Sequence, residues 1–208
     1  THGAKADGVT NDTRAVQAAI DEAAATGAPV LLHNGVFATG TVFLKSNITI
    51  EIAGNATWEA IPDRDLYPPI VPPIRSRMDT IPWSAFIYAG EKENITLHGD
   101  GEIHGRGGEP AFITNKGNDP RRPYGLFFVG CRNIRVEGLR MRNSALWMQR
   151  YFDCDHVTLR GLRVWNHSGN RNNDGCNIDG CRNVIVSDCE IDSTDDALCL
   201  KSEGASAC

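Results

Sequence analysis

The stretch from Asn172 to Ser202, NNDGCNIDGCRNVIVSDCEIDSTDDALCLKS, gathers the side chains of this chain best suited to chemistry. Three carboxylates stand out: Asp174, Asp195 and Asp196. Laying DGCNIDG, which begins at Asp174, under DALCLKS, which begins at Asp196, sets Gly175 on Ala197, Cys176 on Leu198 and Ile178 on Leu200, an offset of 22 residues. Two strand-like pieces at that spacing, with a further strand at 183–186 between them, read as successive coils of a parallel β-solenoid. Neighbouring strands lie about 4.7–4.9 Å apart, so Asp174 is expected on one edge with Asp196, and Asp195 beside them. Three ionised groups there would repel one another, so at least one pKa is expected to rise. A protonated carboxyl beside ionised ones is the equipment for general acid and base work on a glycosidic bond. Two blander readings stay open on spacing alone. Asp-Gly and Asp-Asp are common in turns because Asp bonds its own backbone, and carboxylate clusters also bind calcium.

The elements that must position these groups repeat along the chain. Asn47-Ile48-Thr49-Ile50, Asn94-Ile95-Thr96-Leu97, Asn133-Ile134-Arg135-Val136, His156-Val157-Thr158-Leu159 and Asn183-Val184-Ile185-Val186 share one pattern, Asn-apolar-x-apolar with a single His substitution. The step from Asn133 to His156 is 23 residues and from His156 to Asn183 it is 27, as expected for coils with loops of unequal length. Asn tolerates left-handed backbone geometry, so the repeat suggests a bend where stacked amides bond from coil to coil. Asn47, Asn94 and Asn55 also match the glycosylation sequon, but the repeat register makes the first two structural. Cys131, Cys154 and Cys181 recur two residues before the Asn or His, which reads as a ladder of small buried side chains. An odd total of seven Cys with no CxxC pair weakens zinc and a full disulfide framework.

Ahead of the repeat, Val16, Ala19, Ile20, Ala23 and Ala24 fall at helical spacing, with Asn11, Asp12 or Thr13 as N-cap and Gly27 as the stop. This helix, within a cap at 1–27, is expected to cover the open end of the stack. Strands follow at 29–32 and 36–44. Two interruptions, near 61–83 and 105–124, carry Pro, Gly and Arg; the first holds six of the ten Pro. They are expected to be loops that wall a groove lined partly by Arg and by Tyr67, Trp83 and Tyr124. The fold class implied is all-β: a right-handed parallel β-helix over 28–208, one domain with its cap, with Ile, Val, Leu and Cys inward and Arg, Thr and Glu outward.

With 208 residues, 41% hydrophobic and 23% charged, the composition is that of a soluble globular protein. A net charge of −5 argues against nucleic acid as the main partner. No apolar run nears the roughly 18 residues that span a bilayer, so no membrane partner is expected. The opening Thr1-His2-Gly3 reads as a processed or truncated start.

The opening HGAKADGVTNDTRAVQAAIDEAAATG resembles the N-terminal cap of pectate-lyase-like β-helix enzymes. NNDG, followed 21 and 22 residues after its Asp by the Asp195-Asp196 pair, resembles glycoside hydrolase family 28, the polygalacturonases. That resemblance covers nearly the whole chain. It implies hydrolysis of pectin, either homogalacturonan or rhamnogalacturonan, with inversion and without cofactor or metal. Asp195 would be the general acid, Asp174 and Asp196 would activate the water, and Asn172 would bind substrate. Inverting carboxyls stand about 6.5–9.5 Å apart to admit that water. A pectic polysaccharide or oligogalacturonide would be the partner, the full-length protein a monomer, and its location secreted or periplasmic.

The family's NTDG is here Asn172-Asn173-Asp174-Gly175, and the pair continues as DDALCLKS, where many polygalacturonases differ. The family also carries Gly-His-Gly and Arg-x-Lys downstream of the pair, and the sequence ends at Cys208 before either. His104 precedes the Asp motifs and Lys201 lies too near Asp196 to stand in for them. The chain is therefore expected to be the N-terminal part of an enzyme, with little turnover by itself and with an open last rung prone to self-association. A calcium-dependent polysaccharide lyase and a non-catalytic sugar-binding β-helix are the alternatives.

Overall fold

Asn at the start of each repeat adopts the backbone conformation that makes the corner. Asn47, Asn94, Asn133, His156 and Asn183 all have φ between 52° and 59°, a region that Asn enters more readily than most L-residues. Their side chains then bond along the stack. Asn94 Nδ2 donates to Asn47 Oδ1 at 2.7 Å, and Asn133 Nδ2 donates to Asn94 Oδ1 at 2.8 Å. Where His156 interrupts the amides, Asn183 Nδ2 reaches the neighbouring Asp155 Oδ1 at 2.8 Å. The amides of Asn47 and Asn94 are thus engaged in the stack, as the repeat register implied.

The computed structural model describes residues 2–77, 83–114, 119 and 121–203. Its strands form three parallel sheets, and each coil contributes one strand to each sheet. One sheet follows the Asn corners and runs through Val30–Leu32, Ile48–Ile52, Glu93–Gly99, Arg132–Glu137, Asp155–Arg160 and Arg182–Ser187. A second runs from Asp7–Asn11 to Glu190–Ser193 through seven strands. The third, which carries the site, is Val42–Phe43, Ser84–Gly90, Pro123–Val129, Gln149–Phe152, Cys176–Asp179 and Leu198–Lys201. The winding is a right-handed parallel β-helix.

Alternation fixes which side chains enter the core. In the first sheet Ile48, Ile95, Ile134, Val157 and Val184 stand in one column, coil upon coil. Arg135, between Ile134 and Val136, points outward and is exposed. Fully burying an aliphatic side chain is worth about 1.5–3 kcal/mol, so each added rung extends a continuous apolar column. Cys131 and Cys154 join this interior and Cys181 packs against it, half-buried. All six described cysteines are free thiols.

The helix Thr13–Thr26 buries Val16, Ile20 and Ala23 and closes at Gly27, which has φ 75°. Gln17 fixes it to the first coil, its side chain bonding both the N–H and the carbonyl of Phe43 at 2.9 Å. Asp12 holds the cap position but its carboxylate turns back to accept from Lys5 and Ala6, while Asn11 Oδ1 accepts from the Thr13 N–H at 3.0 Å.

Three expectations need correction. The stretch 36–44 is two strands in different sheets, Gly35–Thr39 and Val42–Phe43, because the chain turns a corner at Gly40-Thr41. Tyr67, Trp83 and Tyr124 are buried and not open walls, Tyr67 against Phe112 and Trp83 against Tyr124. The outward face of the third sheet is not polar, since Tyr88, Phe127, Val129 and Phe152 pack there under Ile70 and Trp83. A loop with enough apolar side chains covers that face, so strand alternation there separates two interiors. Thr1, Cys208 and parts of the two interruptions, 78–82, 115–118 and 120, lie outside the described residues.

Asn94 is the sharpest test of the corner ladder, because it both donates and accepts. Asn94→Ala should lower unfolding free energy by about 1–2 kcal/mol, mainly through a strained φ, since its two amide partners are exposed and water can take them up. Asn94→Gly should recover part of that loss, since glycine relieves only the backbone. Urea denaturation of the two variants checks the order.

Candidate active site

Asp174 and Asp196 meet because their strands pair without slippage. Cys176 is in register with Leu198 and Ile178 with Leu200, the 22-residue offset read from the sequence. Just before these strands, the Gly175 N–H donates to the Asp196 carbonyl at 2.9 Å and the Cys176 N–H to Ala197 at 3.0 Å. Gly175 is required at this approach: a Cβ there would meet the Ala197 carbonyl oxygen at 2.7 Å and clash with Ile191. The three carboxylates therefore sit at one corner on adjacent coils.

Their surroundings differ. Asp174 is only 3% exposed, whereas Asp195 and Asp196 are open to solvent. Asn177, three residues on, donates its amide to Asp174 Oδ2 at 3.0 Å. Burial pushes the Asp174 carboxyl up to about 6, opposed by the Asn177 hydrogen bond and the Lys201 charge and helped by the charges of Asp195 and Asp196. One member of the cluster is thus raised as expected, but loss of water outweighs mutual repulsion as the cause. Asp195 Oδ1 accepts from the Asp196 N–H at 3.0 Å, and Ser193 Oγ donates to the Asp195 carbonyl at 2.9 Å, which fixes the turn carrying the pair.

The loop that delivers Asp174 is held by buried amides. Asn173 accepts from Ser168 and donates Nδ2 to the carbonyls of Ser144 at 3.0 Å and Leu146 at 3.3 Å. Asn166 donates Nδ2 to the Asp174 carbonyl at 3.0 Å, and the Met148 N–H donates to the same oxygen at 2.8 Å. Asn172 is half-buried with φ 57°, and its Oδ1 lies 3.4 Å from Arg122 Nη2. Arg122 is wholly buried and also donates to the carbonyls of Ala145 and Arg171, so it ties this loop to the preceding coil.

Beside the carboxylates lie Asn177, Asp179, Arg150 and Trp147, which the sequence reading passed over. Asn177 and Asp179 alternate with inward Cys176 and Ile178 and so face outward. Arg150, in register with Asn177, is 2% exposed, with Nη2 3.6 Å from Asp179 Oδ2 and Nη1 donating to the Tyr124 hydroxyl at 3.1 Å. Its guanidinium is 5.2 Å from the Phe127 ring centroid and 5.3 Å from that of Trp147. Lys201 Nζ stands 4.7 Å from the Trp147 centroid. The 27-residue coil step applied backward from Asn177 would have found Arg150. Its burial is not legible that way, since it depends on the loop above. His104 is elsewhere, bonded to Glu59 at 2.9 Å on another sheet.

Three carboxyls brought to one corner can divide proton donation and proton acceptance among them, as hydrolysis of a glycosidic bond requires. The model of the glycosyl hydrolases family 28 matches residues 29–206. This chain belongs to that family. Over 210 residues it is 28% identical to a probable polygalacturonase of Vitis vinifera, covering 96% of this chain and 43% of that relative. A probable polygalacturonase of Arabidopsis thaliana is 33% identical over 110 residues, 53% of this chain and 23% of the relative. Among solved structures, a hyperthermoactive exopolygalacturonase from Thermotoga maritima superposes with TM-score 0.80 at 25% identity, covering 97% of this chain and 53% of that one. The family 28 chain thus spans less than half the length of these curated relatives.

The raised carboxyl belongs to the folded state, so ionising it opposes folding. The penalty is absent below the ordinary value of 3.8, grows toward about 6 and is complete above it. Asp174→Asn should therefore stabilise the protein at pH 7.5 by an amount on the order of 3 kcal/mol, with the gain gone near pH 3.5. Thermal melts of both proteins across that range check the sign.

Proposed function

We propose that the protein containing this chain hydrolyses α-glycosidic bonds to galacturonic acid in pectin, homogalacturonan or rhamnogalacturonan, with inversion at the anomeric carbon. The observation that carries this reading is the corner where Asp174 and the Asp195-Asp196 pair meet on adjacent coils of a family 28 β-helix. Asp195 protonates the leaving glycosidic oxygen. Like Asp196 it is exposed, so a bound sugar would cover it, and loss of water favours the protonated form of a carboxyl; the choice of Asp195 over Asp196 follows the family resemblance. Asp174 and Asp196 draw the proton from the attacking water. Asn172, its Oδ1 within reach of Arg122, helps to seat the sugar on this edge. The chain acts as one β-helix domain with its cap, and the protein works outside the cell or in the periplasm on a pectic polysaccharide. Relatives bearing polygalacturonase names support the substrate class.

Asp195→Asn should reduce kcat by roughly 10²–10⁴-fold with KM little changed, because the swap preserves shape and removes only the proton. Substrates with good leaving groups should rescue this variant and neither Asp174→Asn nor Asp196→Asn. The assay is release of reducing ends from homogalacturonan and rhamnogalacturonan by the full-length protein, with the anomeric configuration followed by NMR. Retained configuration would reject inversion, and unsaturated product would make the enzyme a lyase.

The acidic limb of the pH profile should follow Asp174, which must be ionised to act as base and titrates at about 6. Asn177→Ala removes the hydrogen bond that favours the carboxylate, so the limb should move to higher pH. An unmoved limb would assign that ionisation to another group.

A further inference from the structure

Two cations flank the Trp147 indole, and the fold uses them differently. Arg150 is buried against Asp179 and the Tyr124 hydroxyl. Lys201 ends the strand Leu198–Lys201, is half-buried, and makes no ion pair among the described residues. Its ammonium stands over the face of Trp147, which is itself partly open to solvent. An aromatic face attracts a cation without neutralising it, so Lys201 keeps its charge available to an anion. The pair adjoins the carboxylates: the N–H of Met148, next to Trp147, donates to the Asp174 carbonyl at 2.8 Å, and the strand that Lys201 ends follows directly on Asp196 and pairs with the one that follows Asp174.

A sugar ring presents C–H groups on one face and hydroxyls around its rim. A half-exposed indole offers an apolar surface to that face, as aromatic side chains do wherever one end of a ligand is dry and the other wet. An uronic acid adds a carboxylate at the rim, which an ammonium at the edge of the platform can take up in a charge-assisted hydrogen bond. A methyl-esterified unit has the same ring and lacks that charge.

We propose that Lys201 and Trp147 form an acidic-sugar subsite beside the carboxylates, with Trp147 taking the ring face and Lys201 pairing with the carboxylate of a galacturonate unit. The assignment rests on the pectin-hydrolase reading for its ligand, and makes Lys201 the residue that distinguishes free acid from methyl ester. Lys201 is a specificity residue here, separate from the groups that move protons.

The test uses the full-length protein carrying Asp195→Asn, to prevent turnover, titrated calorimetrically with trigalacturonate and with its fully methyl-esterified counterpart. The free acid should bind at least about tenfold tighter than the ester, as expected for one charge-assisted contact. Adding Lys201→Met should close that gap by weakening only the acid, Lys201→Arg should keep most of it, and Trp147→Leu should weaken both ligands. Thermal melts confirm that the variants fold. A gap that survives Lys201→Met, or equal binding of acid and ester by the parent, overturns the subsite. Cleavage by the wild-type protein together with such a result leaves the hydrolase reading standing. A Lys201-dependent gap with no cleavage of any pectin would overturn the hydrolase reading and leave the subsite. Failure to bind either ligand at millimolar concentration overturns both.

Discussion

Everything at the candidate site depends on the register with which one coil stacks on the next. Parallel strands let every side chain stand above its counterpart, so a column such as Ile48, Ile95, Ile134, Val157 and Val184 penalises any slip by one residue. The amides of Asn47, Asn94 and Asn133 lock the same register at the corner. Between them these columns bring residues 21 positions apart into hydrogen-bonding neighbourhood, Gly175 on Asp196. A carboxylate cluster on flexible loops would spread apart under its own repulsion; here the backbone holds it.

Once held, the carboxylates become chemically unequal through exposure. Asp174 lies between coils and under the loop fixed by Asn166 and Asn173, so its ionised form loses water. Asp195 and Asp196 are exposed to solvent. Asn177 supplies the only hydrogen bond to the Asp174 carboxylate among the described residues, which is too little to offset burial. Burial thus raises the Asp174 carboxyl without any difference in residue type, and carboxyls in different surroundings can take different roles.

The loop over the third sheet adds a second layer of control. By burying Tyr88, Phe127 and Phe152 beneath Ile70 and Trp83, it creates an apolar setting on a face that would otherwise be wet. Arg150 is tolerated there because Asp179, the Tyr124 hydroxyl and several aromatic faces surround it. Burying such an ion pair is not itself stabilising. Its effect is to fill the floor beneath Trp147, so that the indole and Lys201 stand at the surface beside the carboxylates.

Much of this was legible in the chain. The Asn-apolar-x-apolar pattern specified the corners and the inward columns, the helix stop at Gly27 was readable from its need for a left-handed residue, and the coil spacing aligned Asp174 with Asp196. These are local or periodic properties, and a solenoid turns period directly into contact. What sequence alone left undecided is what non-periodic segments do. The break at Gly40-Thr41, the burial of Tyr67, Trp83 and Tyr124, and the place of Arg150 follow from where loops land on the stack. The raised carboxyl of Asp174 belongs to the same class, because a pKa depends on how much water the assembled fold removes from a group, and no spacing between residues encodes that.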